Sequence, residues 1–112
     1  MAAPSVGAVV LVPFPFSDLS SSKLRPAFVV ADCGKGDWIC IQITSNPYSD
    51  RDAVEIDSTD FESGSLQRAS FARPGKIFTA NEAILVRVVG QLRREKVLQI
   101  KRAIVDLIEK EE

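Results

Sequence analysis

The chain has 112 residues, of which 46% are apolar and 26% charged, a composition typical of a folded globular protein. This length favours a single domain over residues 1–112 with a core of its own. The formal net charge is −1, so the composition as a whole does not indicate nucleic-acid binding, although clustered basic residues act locally whatever the net charge.

The residue types exclude several kinds of chemistry. The sequence has no histidine, which excludes histidine acid–base catalysis and histidine metal sites, and its two cysteines cannot form a four-ligand zinc site. We therefore expect no metal and no cofactor. The apolar runs are short and the N-terminus lacks a signal-peptide pattern, so we expect a cytoplasmic protein that does not contact membranes.

Most of the chain predicts β-structure, because short β-branched runs alternate with turn residues. Strands are predicted over 6–12, 27–31, 38–44, 54–56, 67–72, 76–80 and 86–92, and loops over 17–23, 46–52 and 59–64. Pro13 and Pro15 are expected to end the first strand, since proline cannot donate to a ladder. The turn at Gly34-Lys35-Gly36 predicts a hairpin between the second and third strands.

The C-terminal segment has a different periodicity. Val97, Ile100, Ile104, Leu107 and Ile108 recur at helical spacing, which predicts an amphipathic helix over about 93–109. Several short strands followed by one helix indicate a mainly β fold, a small twisted antiparallel barrel over about 6–92.

The two cysteines, Cys33 and Cys40, lie in or beside the predicted hairpin. The sequence alone permits a disulfide between them. In a chain expected in the cytoplasm, reduced thiols with a structural role are the stronger expectation.

One candidate for chemistry is the segment Lys23-Leu24-Arg25-Pro26, which enters the second strand. Pro26 restricts the residue before it to extended geometry, so Arg25 is held in place. Its planar guanidinium matches phosphate oxygens in bidentate fashion. Taken alone, an arginine at a strand end is more often a plain surface residue.

Two further candidates are Thr44, at the end of the third strand, and the Arg73-Pro74 step. A strand-end hydroxyl can donate to a phosphoryl oxygen, but threonine is also simply common in strands. Together, two arginines and a hydroxyl without metal ligands suit a site that binds a phosphodiester without a cation. Such a site can cleave RNA, whose 2′-hydroxyl supplies the nucleophile.

Five segments carry a resemblance to a known family and together cover nearly the whole chain. They are 7–19 (GAVVLVPFPFSDL), 22–27 (SKLRPA), 41–45 (IQITS), 72–79 (ARPGKIFT) and 89–92 (VGQL), with Gly64-Ser65-Leu66 between the third and fourth. In order and spacing the chain resembles the MazF/PemK-like toxins of type II toxin–antitoxin systems.

The resemblance implies an SH3-like barrel that forms a homodimer and a sequence-selective, metal-independent endoribonuclease acting on single-stranded RNA, commonly mRNA. It implies 2′,3′-cyclic phosphate and 5′-hydroxyl products, and a cognate antitoxin as partner, which we expect to be acidic. Arg25 and Thr44 match the usual catalytic pair. Ser45 and Arg73 match substrate-binding positions, and we expect Lys23 and Lys76 to add positive charge.

The chain also departs from the family pattern. The PemK-like branch has an aspartate where this chain has Gly75, and it has a loop histidine that this chain lacks. MazF-type members often have an arginine where this chain has Phe78. One alternative is a non-catalytic module of the same fold that binds RNA or a protein partner. Another is a CcdB-like gyrase poison. That class needs a C-terminal tryptophan to bind its partner, and it is disfavoured because the only tryptophan here is Trp38, in a predicted strand.

Overall fold

Seven strands in the described part of the chain form one curled antiparallel sheet with the order β4-β6-β3-β2-β1-β7-β5. The computed structural model describes residues 3–15 and 22–111. The strands are β1 Ala8–Pro15, β2 Ser22–Gly34, β3 Asp37–Thr44, β4 Val54–Ile56, β5 Phe61–Gly64, β6 Ser70–Asn81 and β7 Arg87–Leu92. Short 3₁₀ turns cover Ser58–Asp60 and Glu82–Ile84, and the helix α1 covers Arg94–Glu109. This curled half-barrel with a terminal helix confirms the predicted fold class.

Alternation along the strands divides the core into two clusters on opposite faces of the sheet. On one face Val9, Phe28 and Ile41 are fully buried and pack with the inner side of α1. On the other face Val10 and Val29 belong to a cluster built from the strands and the segment that follows β6. Both faces of the sheet are therefore apolar in its middle.

The β2–β3 hairpin is confirmed. Gly34 pairs with Asp37, and the two residues between them, Lys35 and Gly36, have φ of 58° and 81°. Positive φ at both central positions is the type I′ geometry that matches the twist of paired strands. The turn sequence thus sets the register in which β2 and β3 align their side chains.

The prediction that Pro13 and Pro15 end the first strand is wrong. β1 runs to Pro15 and pairs with β2 from Val9 to Pro15, whereas it pairs with β7 only as far as Leu11. The Leu11 carbonyl accepts from Val86 N–H, so this edge of β1 faces β7. The backbone nitrogens of residues 13 and 15 lie on that same edge, beyond the last β7 pairing at Leu11, so the missing N–H groups interrupt no ladder among the described residues.

Three other predicted boundaries are wrong. The segment 59–64, predicted as a loop, contains β5, which pairs with β7. The two strands predicted over 67–72 and 76–80 form the single strand β6, interrupted by a bulge where Ile41 pairs with Ile77 but Ile43 pairs with Ala72. β2 begins at Ser22, so Arg25 lies inside the strand, and the rest of the predicted loop over 17–23 lies outside the described residues.

The helix follows the sequence prediction closely. α1 buries Val97, Ile100 and Ile104 against the sheet, while Ile108 is 67% exposed. No helix in the described part of the chain has the length and apolar character needed to cross a membrane.

Candidate phosphate-binding groove

An open groove of about 810 Å³ lies at one end of the sheet. It is bounded by the start of β2, the end of β3, the segment that joins β5 to β6, and the start of β7. The lining residues are Leu11, 23–26, 43–45, 64–68, Ser70 and 87–89. The groove is therefore assembled from elements that are far apart in sequence, and the β2–β3 register fixes its centre.

Four of the six predicted site residues line this groove: Lys23, Arg25, Thr44 and Ser45. The register that pairs Ala27 with Gln42, continued by two residues, brings Arg25 opposite Thr44. Opposed residues of antiparallel strands project from the same face. A guanidinium and a hydroxyl therefore come to the same groove from neighbouring strands.

The Thr44 hydroxyl is held by the loop that follows it. Its Oγ1 accepts a hydrogen bond from the Asn46 backbone N–H at 3.1 Å. A hydroxyl that accepts there keeps its own proton for another acceptor. Because Thr44 lines the groove, a phosphoryl oxygen bound there is a suitable acceptor for that proton.

The groove is positively charged although the chain is not. Lys23, Arg25, Arg68 and Arg87 line it, and no aspartate or glutamate is among the described lining residues. No described carboxylate lies within ion-pair distance of Lys23, Arg68 or Arg87. Cations that share a concave surface reinforce one another, which concentrates an anionic ligand there.

Sequence reasoning missed Arg68 and Arg87. Arg68 lies in the segment between β5 and β6, and Arg87 is the first residue of β7, paired with Leu11 of β1. Arg87 interrupts an otherwise β-branched run, which is a signal that could have singled it out. Arg68 has no such signal, because only the folded segment brings it to the groove.

The segment between β5 and β6 depends on Gly64. Its φ is +72°, and a Cβ built there would lie 2.1 Å from the Val89 carbonyl oxygen and 2.5 Å from Gly90 Cα. Only glycine combines this left-handed backbone with so close an approach. Gly64 thereby brings the Ser65–Arg68 wall of the groove against β7.

The other two predicted site residues, Arg73 and Lys76, lie in the β6 bulge and are not among the groove-lining residues. Arg73 Nε donates to Asp50 Oδ2 at 2.9 Å, and its Nη1 makes a weak contact of 3.4 Å with Gln42 Oε1. The hydrogen bond from Arg73 lowers the pKa of Asp50, and the charge of Lys76 contributes to the same shift. Because Gln42 and Thr44 are two residues apart on β3, Arg73 borders the face that carries Thr44.

Packing accounts for two departures from the family pattern. The ring of Phe78 meets that of Phe14 edge-to-face, with centroids 5.1 Å apart, so this position is used for apolar packing. A Cβ on Gly75 would lie 3.3 Å from Leu107 Cδ2. An aspartate at position 75 would press on α1, so glycine permits the helix to approach the bulge closely.

The two cysteines are not bonded to each other in the structure. Cys33 is exposed and Cys40 is buried, and Cys40 pairs with Val29 rather than with Cys33. Burial raises the pKa of the Cys40 thiol to about 11, and the nearby Cys33 adds to the shift. Cys40 is therefore a protonated core residue, consistent with a structural role.

The sequence matches a family model described as the PemK-like, MazF-like toxin of type II toxin–antitoxin systems over residues 5–108. A search of curated protein sequences found no significant match.

Solved structures extend the similarity to the fold. A MazF–MazE structure from Deinococcus radiodurans superposes with a TM-score of 0.76 at 13% identity, covering 99% of this chain and 100% of that one. A mycobacterial endoribonuclease in complex with its cognate antitoxin gives 0.72 at 16% identity, with 100% and 99% covered. Mycobacterium tuberculosis toxin MazF-mt6 gives 0.71 at 16% identity, with 94% and 99% covered.

Proposed function

Because the chain belongs to the PemK-like, MazF-like toxins of type II toxin–antitoxin systems, we propose that it is a sequence-selective endoribonuclease. Its substrate is single-stranded RNA, commonly mRNA, which it cleaves in the cytoplasm without a metal ion. The observation that carries the proposal is the groove: Arg25 and Thr44 lie on neighbouring strands among four basic and no acidic described lining residues.

The proposed reaction is an internal transesterification. The 2′-oxygen attacks the adjacent phosphorus as its proton leaves, and the bond from phosphorus to the 5′-oxygen breaks. The departing 5′-oxygen takes up a proton, so the products are a 2′,3′-cyclic phosphate and a 5′-hydroxyl. Since the substrate supplies the nucleophile, the protein has to orient the strand, stabilise charge and move protons.

Arg25 and Thr44 are assigned to the reacting phosphate. Negative charge grows on the non-bridging oxygens in the transition state, and a preorganised guanidinium and hydroxyl stabilise it there. An arginine guanidinium offers only donors and is a poor general acid or base, so charge stabilisation suits Arg25 better than proton transfer does.

The remaining proposed site residues bind the strand on either side of the reacting phosphate. Lys23 and Ser45 lie in the groove, and its walls add Arg68 and Arg87. Arg73 and Lys76 extend the binding surface beyond the groove, along the β6 bulge.

Two protein partners belong to the proposal. The first is a second copy of the chain, with the exposed apolar side chains of α1 as supporting evidence. The second is an acidic antitoxin segment whose carboxylates occupy the phosphate positions of the groove. A monomer mass in light scattering with full activity would contradict the dimer. A stable ternary complex of toxin, antitoxin and uncleaved RNA would contradict occlusion.

The test is cleavage of a long single-stranded RNA in EDTA, with the cut sites mapped by primer extension. The unsubstituted protein and Thr44→Ser should cleave, because both keep the hydroxyl, whereas Thr44→Val should lose at least about tenfold in rate. Activity that requires added Mg²⁺ or Mn²⁺ would contradict the mechanism. RNA binding without cleavage would favour the alternative of a non-catalytic module.

A further inference from the structure

One exposed aromatic side chain is not accounted for by the groove or by the core. Tyr48 follows β3, four residues after Thr44, and is 66% exposed. Its φ is 53°, and that of Ser49 is 62°. Bulky residues seldom adopt this left-handed conformation, which asparagine and glycine tolerate far better. The fold therefore does not explain why a tyrosine occupies the position.

The loop around Tyr48 is held in place by hydrogen bonds. Asn46 Oδ1 accepts from Tyr48 N–H at 3.0 Å, and Asp50 N–H donates to the Pro47 carbonyl at 2.9 Å. Asp50 in turn is paired with Arg73 on β6, and both side chains are largely buried, with 15% and 17% exposed. The ring of Tyr48 thus stands on a support anchored to the sheet.

One face of the ring is occupied by a cation. The guanidinium carbon of Arg73 lies 5.6 Å from the ring centroid, within the range of a cation–π interaction. Asp50 also holds Arg73 by a hydrogen bond, so the guanidinium fixes the ring in place. With most of its surface exposed, the ring can stack a second planar group.

Hydrogen bonds connect the Tyr48 loop to Thr44, which is assigned to the reacting phosphate. Asn46 bonds both Thr44 Oγ1 and Tyr48 N–H, so one residue links the proposed catalytic hydroxyl to the ring. We propose that Tyr48, supported by Arg73, stacks on a nucleobase of the RNA strand whose phosphate lies at Arg25 and Thr44. This inference rests on the proposed function and gives it a base-binding position.

The physical basis is the sequence tolerance of stacking, since every base has a π face. Removing one base–aromatic stack lowers affinity by roughly fivefold to 150-fold. Because the ring has a fixed place relative to Thr44, it acts at one nucleotide position only. The abasic analogue of that nucleotide should therefore lose the benefit of the ring, while abasic changes elsewhere should not.

The experiment uses an RNA spanning a mapped cleavage site, made uncleavable by a 2′-deoxy residue there, with an abasic nucleotide at each other position in turn. Affinities are measured for the unsubstituted protein and for Tyr48→Asn, which removes the ring but suits the left-handed backbone. We expect Tyr48→Asn to bind the intact RNA roughly fivefold to 150-fold more weakly. At one abasic position the two proteins should bind equally. Tyr48→Phe should recover most of the lost affinity.

Other outcomes would overturn the inference. If the losses from Tyr48→Asn and from the abasic site are additive at every position, the ring does not stack on a base. If Tyr48→Asn changes the mass in light scattering and leaves RNA affinity intact, Tyr48 belongs to a contact between copies. If the unsubstituted protein does not bind RNA at all, the proposed function fails and this inference with it, an outcome distinct from the other two.

Discussion

The groove and the region beside α1 use basic residues in opposite ways. Beside α1, Arg93 Nε donates to the Thr59 carbonyl at 3.0 Å, and Lys96 Nζ donates to the Glu55 carbonyl and lies 3.6 Å from Asp60. In the groove, Lys23 and Arg87 have no such partner among the described residues. Basic residues with partners in the protein stabilise the fold, whereas those gathered without carboxylates suit an anionic ligand.

The largest effect should come from the groove. Arg25→Ala should lower the rate of RNA cleavage by about 10²–10³-fold, because it removes a preorganised charge-stabilising group. Its effect on the free energy of unfolding should stay below about 1 kcal/mol, as for other groups at a protein surface. The matched control is Arg102→Ala on the outer side of α1, where the side chain is 69% exposed. Equal cleavage by both variants would remove Arg25 from the site.

The opposite pattern is expected under the helix. Ile100 is fully buried, and Ile100→Ala should lower the free energy of unfolding by about 2–5 kcal/mol through lost burial and a residual cavity. Cleavage per folded molecule should not change. Urea unfolding measures the first quantity, with Leu98→Ala, at a position 50% exposed, as the mild control. A folded Ile100→Ala protein with strongly reduced turnover would show that the groove and the core beneath α1 are coupled.

The sequence was sufficient for the elements with strong local patterns. The type I′ turn around Lys35, the short strand β4 and the helical periodicity of 97–108 each predicted the observed element, and with them the fold class. It failed where tertiary pairing overrides local preference. Pro13 is tolerated because no described strand pairs with the edge of β1 that would need its N–H, and β5 is a strand because Gly64 can lie against Gly90.

In the candidate site, too, residues with a local sequence signal were predictable and residues placed by tertiary contacts were not. Arg25 and Thr44 were identifiable because each lies next to a local signal, Pro26 in one case and the end of an alternating strand in the other. Arg68 and Tyr48 were not, because their surroundings come from contacts between distant segments. The assignment of roles to these residues remains a proposal that the mutations test.

A smaller effect concerns the salt dependence of RNA binding, which should distinguish the basic residues of the groove from those beside α1. Arg68→Gln and Arg87→Gln should each weaken RNA binding severalfold and reduce the slope of log affinity against log salt by about 0.7 for each lost phosphate contact. Arg93→Gln should leave the slope unchanged, because Arg93 is bonded to the protein. Fluorescence anisotropy with an uncleavable RNA at several salt concentrations measures this. Identical slopes for all three variants would contradict the contrast.

The smallest effect concerns pH. The Arg73 hydrogen bond holds the pKa of Asp50 below its ordinary value of about 3.9. Stability from this pair is therefore fully present above about pH 4 and is lost as the pH falls through the lower pKa of the folded state. Urea unfolding across this range should show a shallower acid dependence for Asp50→Asn. The acid dependence that remains in this variant should come from Asp57, whose pKa is lowered by the hydrogen bond that its side chain accepts from Thr59. An unchanged acid dependence would mean that the Asp50–Arg73 pair does not persist in solution.

In the proposed reaction, the groove cleaves RNA by using the substrate's own 2′-hydroxyl. The most direct measurement compares, in EDTA, an RNA containing the mapped cleavage site with the same RNA carrying one 2′-deoxy residue on the 5′ side of the cleaved bond. We expect the first to give a 2′,3′-cyclic phosphate and a 5′-hydroxyl, and the second to remain intact at that bond while still competing for binding. Cleavage of the 2′-deoxy substrate at the same bond would show that the nucleophile comes from elsewhere and would contradict this mechanism.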